Sequence, residues 1–167
     1  MGIQFETDYN METLTAMAKG LRKTVRKKRS RRVHIFAAVV LILGLLTILA
    51  TTAGGDVTLL AMLVVILVSL FEDRLNAWFA RKRLLPGTEH AAATFEEDGY
   101  VSATGVTESR FSYAQIVAVA ETARYFVFAL SSHHTQAYDK RTIRGGSVED
   151  FRAFIAEKTG KPIANIK

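Results

Sequence analysis

Residues 33–53 run for 21 positions without a single Asp, Glu, Lys or Arg. As a helix this run is about 31 Å long, which matches the ~30 Å hydrocarbon core of a bilayer. Twelve of its 21 residues are Val, Ile, Leu or Phe, each favouring insertion by roughly 0.3–0.6 kcal/mol near the bilayer centre. A chain of 167 residues has no apolar shell large enough to bury such a helix in a soluble core. The run predicts transmembrane helix 1 over residues 33–53. It exceeds the ~7–15 apolar residues of a secretory signal, and a second apolar run follows at once.

That second run, residues 57–71, is only 15 residues long. It covers about 22 Å and must borrow further residues to cross. Transmembrane helix 2 is therefore expected over residues 57–80, with Asp56 at the outer interface and Trp78 at the inner headgroup level. The short external turn is 54–56, and so brief a connection makes the two helices antiparallel neighbours. Charge sets the orientation. Eight of the eleven residues 22–32 are Lys or Arg, and Arg81, Lys82 and Arg83 close the second span. The outside turn offers only Asp56. The positive-inside bias then leaves both termini in the cytoplasm, with Arg26, Lys27, Lys28, Arg29, Arg31, Arg32, Arg81, Lys82 and Arg83 as topology determinants.

The chain's net charge of +6 belongs to one end. Residues 1–32 carry nine Lys or Arg against three acids, whereas residues 84–167 carry nine against ten. The absence of cysteine excludes a disulfide framework, Cys-ligated metal sites and thiol catalysis.

Residues 1–32 read as a cytoplasmic strand–helix arm ending in the basic cluster. Ile3 and Phe5 alternate with polar residues as in a short strand, and Thr7, Asp8 or Asn10 is a candidate helix cap. Leu14, Met17, Leu21 and Val25 then form one helical face, and the helix is expected to continue through the basic cluster into the first span. After a basic linker, 81–87, residues 88–167 change texture. Short β-prone runs alternate with turns, among them Asp98-Gly99, the strongest short hairpin signal. About six antiparallel strands are expected, followed by a helix with a capping-box start at Ser147 and Asp150. Phe151, Phe154 and Ile155 supply its apolar stripe, Gly160 its end and Pro162 its stop. A half-open barrel plugged by that helix buries one face of such a sheet economically. The fold class is an α+β membrane protein: a two-helix hairpin, a cytoplasmic antiparallel β-domain and a C-terminal helix.

Four stretches carry a family resemblance: Phe95-Glu96-Glu97-Asp98-Gly99-Tyr100, the run from Tyr113 to Thr122, Tyr138-Asp139-Lys140-Arg141, and the run from Val148 to Ile155. With the order arm, two spans, β-domain and helix, the chain resembles the YcxB-like bacterial membrane proteins. The resemblance implies a C-terminal domain similar to a pleckstrin-homology (PH) barrel and placement in a bacterial inner (plasma) membrane as a multi-pass protein. It carries no catalytic residues with it.

Three groups of residues are weighed as sites. Residues 22–32 favour anionic lipid at about 1 kcal/mol per cation, but their main expected role is topology. Nucleic acid is not expected, because the run holds no aromatic residue for base stacking. His34, Glu72, Asp73 and Arg74 form a candidate intramembrane polar cluster: folding the hairpin about residue 55 sets Glu72 opposite Ala38, one turn from His34. Snorkelling to the interface is the structural alternative. Lys140, Arg141, Arg144, Gly145, Gly146 and Ser147 run basic and Gly-rich into a helix N-terminus, which suits a lipid headgroup or phosphate; an ordinary loop needing glycine to turn is the alternative. The usual PH phosphoinositide pocket lies by the first hairpin, and Glu96, Glu97 and Asp98 in that turn argue against it here.

Adjacent His133 and His134 point to opposite faces of a strand and cannot share a metal ion. No GxSxG, Walker A, HExxH or dinucleotide fingerprint is present. No enzyme activity, metal or other cofactor is expected. The expected function is a non-catalytic inner-membrane protein displaying a PH-like module for protein–protein interaction, as adaptor or regulatory subunit, with a protein partner or a homo-oligomer and membrane lipids as its contacts. The alternatives are an anionic-lipid-binding membrane module and an accessory subunit of a transporter. Against the last, residues 57–71 offer only Thr58 and Ser69 as polar lining.

Overall fold

The computed structural model describes residues 2–50 and 55–166. The chain forms β1 (Ile3–Asp8), α1 (Met11–Lys23), α2 (Lys27–Ala50), α3 (Gly55–Leu70) and α4 (Glu72–Lys82). Strands β2 (His90–Phe95), β3 (Tyr100–Thr104), β4 (Glu108–Phe111), β5 (Ala118–Glu121), β6 (Tyr125–Ala129) and β7 (Thr135–Asp139) follow, then α5 (Val148–Thr159) and β8 (Ile163–Asn165). Residues 51–53 of the first expected span and Gly54 of the expected turn lie outside the described residues.

The strands make two four-stranded sheets, ordered β1-β2-β3-β4 and β7-β6-β5-β8. The N-terminal strand is part of the first sheet, pairing antiparallel with β2 so that Phe5 stands opposite Ala93. It also closes the seam between the sheets. Gln4 and Arg144 exchange both backbone hydrogen bonds, at 2.9 and 3.0 Å, and Thr7 Oγ1 accepts from the Asp139 amide at 3.1 Å. At this seam Gly145 has φ +83°, and a Cβ there would meet the Gly2 carbonyl at 2.7 Å. Only glycine allows so close a backbone approach.

Two expectations about the sheets are corrected. Residues 88–167 hold seven strands among the described residues, not six, the additional one being β8, and the second sheet is mixed because β8 runs parallel to β5. Three residues after Pro162 are too short for a two-residue alternation to register in sequence. The fold is α+β with one antiparallel and one mixed sheet, consistent with a PH-like domain.

Inside, α5 plugs the barrel. Phe151 and Ile155 are fully buried, and the Phe151 ring lies 4.6 Å from Phe5 and 4.8 Å from Phe95, edge to face in each case. The helix starts and stops as its sequence dictates: Ser147 and Asp150 form the capping box, and Gly160 ends it left-handed. The core's polar groups are paired. The Tyr100 and Tyr138 hydroxyls both donate to Gln136 Oε1 at 2.7 Å, so the amide oxygen uses both lone pairs. Tyr113 donates to the Glu96 and Gly99 carbonyls at 2.6 and 3.0 Å, pinning the β2–β3 hairpin.

The helices depart from expectation at two breaks. A continuous helix was expected from the arm into the first span, but α1 ends at Lys23 and α2 begins at Lys27. Asn10 caps α1, accepting from the Glu12 and Thr13 amides. At the other end Thr24 turns both its amide and its hydroxyl onto the Gly20 carbonyl, which closes the helix there. α1 lies on β6, where Gly20 rests on Val127, while α2 leaves the barrel. The second expected helix, 57–80, is also two: α3 and α4 meet at Phe71 with a bend of 74°. Glu72 and Asp73 sit in the first turn of α4, where acids complement the positive end of a helix dipole.

α2 and α3 pack side by side, antiparallel, with Gly44 beside Met62 and His34 beside Glu72. Neither helix has a buried residue. Their exposed side chains include Phe36, Leu49, Val57 and Leu70. α2 is long and apolar enough to cross a membrane; α3 with α4 adds a second such element only when the bent pair is taken as one.

Candidate functional site

The junction between the barrel and the two apolar helices is built from α1, α2 and α4. α4 packs along α1, and Ala77, on its inner face, is fully buried. Arg22, in the last turn of α1, holds Asp73 at both oxygens: Nε donates to Oδ1 at 2.7 Å and Nη2 to Oδ2 at 2.5 Å. This fork-to-fork pairing is the strongest geometry available to the two groups. It raises the Arg22 pKa above its ordinary value, the hydrogen bond to Asp73 being the main cause. Glu72 lies 3.8 Å from Arg22 on one side and 3.8 Å from His34 on the other. His34 Nδ1 is 2.8 Å from the Ser30 carbonyl, and Nε2 faces Glu72.

Three of the four expected cluster residues, His34, Glu72 and Asp73, therefore come together. Glu72 comes within 3.8 Å of His34. Arg74 does not join them: it is exposed and lines a groove with Glu12, Lys19 and Arg124. The partner that sequence reasoning missed is Arg22, 51 residues from Asp73. Its position in the last turn of an amphipathic helix was readable; the facing helix was not.

The outer side of α4 has a different chemistry. At i, i+4 and i+7 steps from Phe71 lie Leu75 and Trp78, with Phe79 beside them, opposite Ala77 on the helix. All four are exposed large apolar side chains. Lys82 completes this face, with Nζ 3.6 Å from the centroid of the Trp78 ring. α4 thus has one face on α1 and an uncovered apolar–aromatic face on the other.

The basic loop after β7 is occupied by internal partners. Lys140 Nζ donates at 2.6 Å to Glu121 Oε1 and at 2.6 Å to the Thr122 carbonyl. Arg141 binds both oxygens of Asp139, at 3.2 and 3.0 Å, and Arg144 sits 3.5 Å from Glu6. Gly145 serves the β1 seam, Gly146 lies against Ile3, and the Ser147 amide is taken by Asp150. An anion arriving here competes with three carboxylates. Glu121 also accepts from Arg152 Nε and Nη2 at 2.9 and 2.8 Å. The Arg152 hydrogen bonds, then those of Lys140, hold its carboxyl down at about 2. This clamp ties α5 to the second sheet.

Of the expected topology determinants, Arg26 turns back on the barrel, donating to the Ser132 carbonyl at 2.7 Å and to His133 Nδ1 at 2.9 Å. Lys27, Lys28, Arg29, Arg31 and Arg32 open α2, and Arg81, Lys82 and Arg83 close α4. Among the described residues no three His, Asp or Glu are arranged to hold a metal ion. Comparison with curated proteins and with solved structures finds no match. Residues 95–155, from the end of β2 into α5, match the family model described as YcxB-like protein, and the chain carries a YcxB-like domain over those residues.

Proposed function

We propose that this protein is a non-catalytic inner-membrane adaptor. In this reading α2 and α3 cross the lipid together, both termini stay in the cytoplasm, and the barrel is displayed there for a protein partner or a second copy of the chain. The observation that carries it is the two-faced α4. Ala77 and Asp73 fasten it to α1, while Phe71, Leu75, Trp78 and Phe79 are left uncovered opposite.

A helix bent by 74° from α3 lies close to the bilayer plane when α3 stands near the normal. Its aromatic residues and Lys82 then sit where such side chains collect. The 16 residues of α3 cover about 24 Å, short of the ~30 Å core, and local thinning together with Phe71 and Leu75 dipping inward makes up the difference. α4 becomes the plate between barrel and lipid. Anchoring in this way raises the barrel's effective concentration towards membrane-bound partners. The outer edge of β4 is the contact surface we assign. It ends the first sheet, and an unpaired edge accepts a strand from another chain.

The test combines topology reporters fused to each end with photo-crosslinking from position 110 in β4, in cells. Both ends should report the cytoplasm, and position 110 should give a discrete protein adduct. Either end found outside, or full-length protein that stays dispersed without surfactant, overturns the membrane placement. Crosslinking to lipid alone overturns the assignment of β4.

A further inference from the structure

A cavity of about 640 Å³ opens at the junction, between α1, α2, α4 and the loop joining β6 to β7. Its size falls within the ~300–1,000 Å³ range of ligand pockets. Leu14 and Met17 of α1, Val33 of α2 and Phe79 of α4 give it apolar walls. Arg22, Arg26, Arg29 and Arg83 also line it, four cations of which only Arg22 has an acidic partner at close range.

Arg22 is committed to Asp73. Arg26 directs two of its nitrogens to neutral acceptors, the Ser132 carbonyl and His133 Nδ1. Because an arginine only donates, His133 Nδ1 is unprotonated and the ring's other nitrogen carries the hydrogen. The one carboxylate in the lining is Glu72, already shared between Arg22 and His34 at 3.8 Å each. Arg26, Arg29 and Arg83 therefore face one opening without a carboxylate of their own among the described residues. Guanidinium groups gathered at one opening beside an apolar wall are the donor set that a phosphate with a greasy tail requires.

We propose that this cavity binds the phosphate of an anionic lipid headgroup, with Arg26, Arg29 and Arg83 as its donors and the apolar wall taking the glycerol and the first methylenes. The inference rests on the membrane placement above, which sets the cavity at headgroup depth. Free phosphate carries the same charge and hydrogen-bonding chemistry without the tail, so the test separates the two sources.

The full-length protein in a non-ionic detergent is titrated with phosphatidylglycerol, phosphatidylcholine and inorganic phosphate. Thermal midpoint and the emission of Trp78, the chain's one tryptophan, are the readouts. Phosphatidylglycerol should raise the midpoint and alter the emission, and phosphatidylcholine should not. The double variant Arg29→Gln/Arg83→Gln should weaken the apparent affinity roughly tenfold or more, each cation counting about as it does near an anionic surface. Arg83→Glu alone, at the exposed end of α4, should weaken it as well. Arg141→Gln/Arg144→Gln, on the loop after β7, should leave it unchanged.

Equal responses to the two lipids overturn the proposal, as does a wild-type response in the double variant. A response to inorganic phosphate matching that to phosphatidylglycerol keeps the site but overturns lipid as its source. Protein that stays dispersed without detergent removes the membrane placement. Protein that needs detergent yet ignores phosphatidylglycerol removes this inference alone.

Discussion

Replacing Glu121 with Gln tests whether a charge clamp or mere packing holds α5 in the barrel. Glu121 ends β5 and is 7% exposed. It receives Lys140 at 2.6 Å and Arg152 at 2.8 and 2.9 Å. These bonds, those from Arg152 foremost, lower its pKa from 4.5 to about 2. At about 1.4 kcal/mol per pKa unit, the shift is equivalent to roughly 3 kcal/mol of stability at neutral pH. Arg152 is 40% exposed, and solvent screening of that partner brings the expected cost of Glu121→Gln to about 2 kcal/mol.

The sign follows from the depressed value. The stabilisation is complete above the ordinary carboxylate pKa of 4.5 and drains away as pH falls from there towards about 2. Denaturant unfolding of the full chain in detergent, read by tyrosine near-ultraviolet circular dichroism, measures the gap between wild type and variant. The gap should hold from about pH 7 to about pH 5 and shrink to less than half by about pH 3. A gap that stays constant down to about pH 3 would refute the electrostatic account, and no gap at neutral pH would refute the clamp itself.

Two further substitutions probe how α1 joins its neighbours. In Gly20→Ala the new Cβ would lie 2.7 Å from Val127 Cγ1 and 3.0 Å from Val127 Cβ. Prying α1 off β6 should outweigh the gain in helix propensity and cost about 1–2 kcal/mol by the same unfolding assay; adding Val127→Ala should recover part of it, and no loss in Gly20→Ala would show that the contact yields freely. Arg22→Ala removes the fork on Asp73, whose side chain is 15% exposed. Hydrogen exchange in residues 72–82 should quicken about fivefold, for about 1 kcal/mol of local stability, while β6 and β7 keep their protection; unchanged exchange in α4 would show that Ala77 packing alone holds it.

Much of the architecture can be read in the sequence because its signals are local. The charge-free run from Val33, the Ser147–Asp150 box, Gly160 and the Asp98-Gly99 turn act through neighbours within a few residues, where propensity and periodicity operate directly. The six strands β2–β7 match the expected number for the same reason: their alternation is long enough to register. The breaks at Thr24 and Phe71, the parallel strand β8 and the partnership of Arg22 with Asp73 are different. Each depends on a surface assembled from distant segments: β6 beneath Gly20, β5 beside Ile163, and α1 facing α4. Sequence alone establishes that a basic-flanked apolar pair accompanies a small β-domain. Only the tertiary packing decides that the N-terminal strand closes the barrel and that α4 bends away from α3 to lie along α1, because burial and ion pairing across more than fifty residues are properties of the assembled surface.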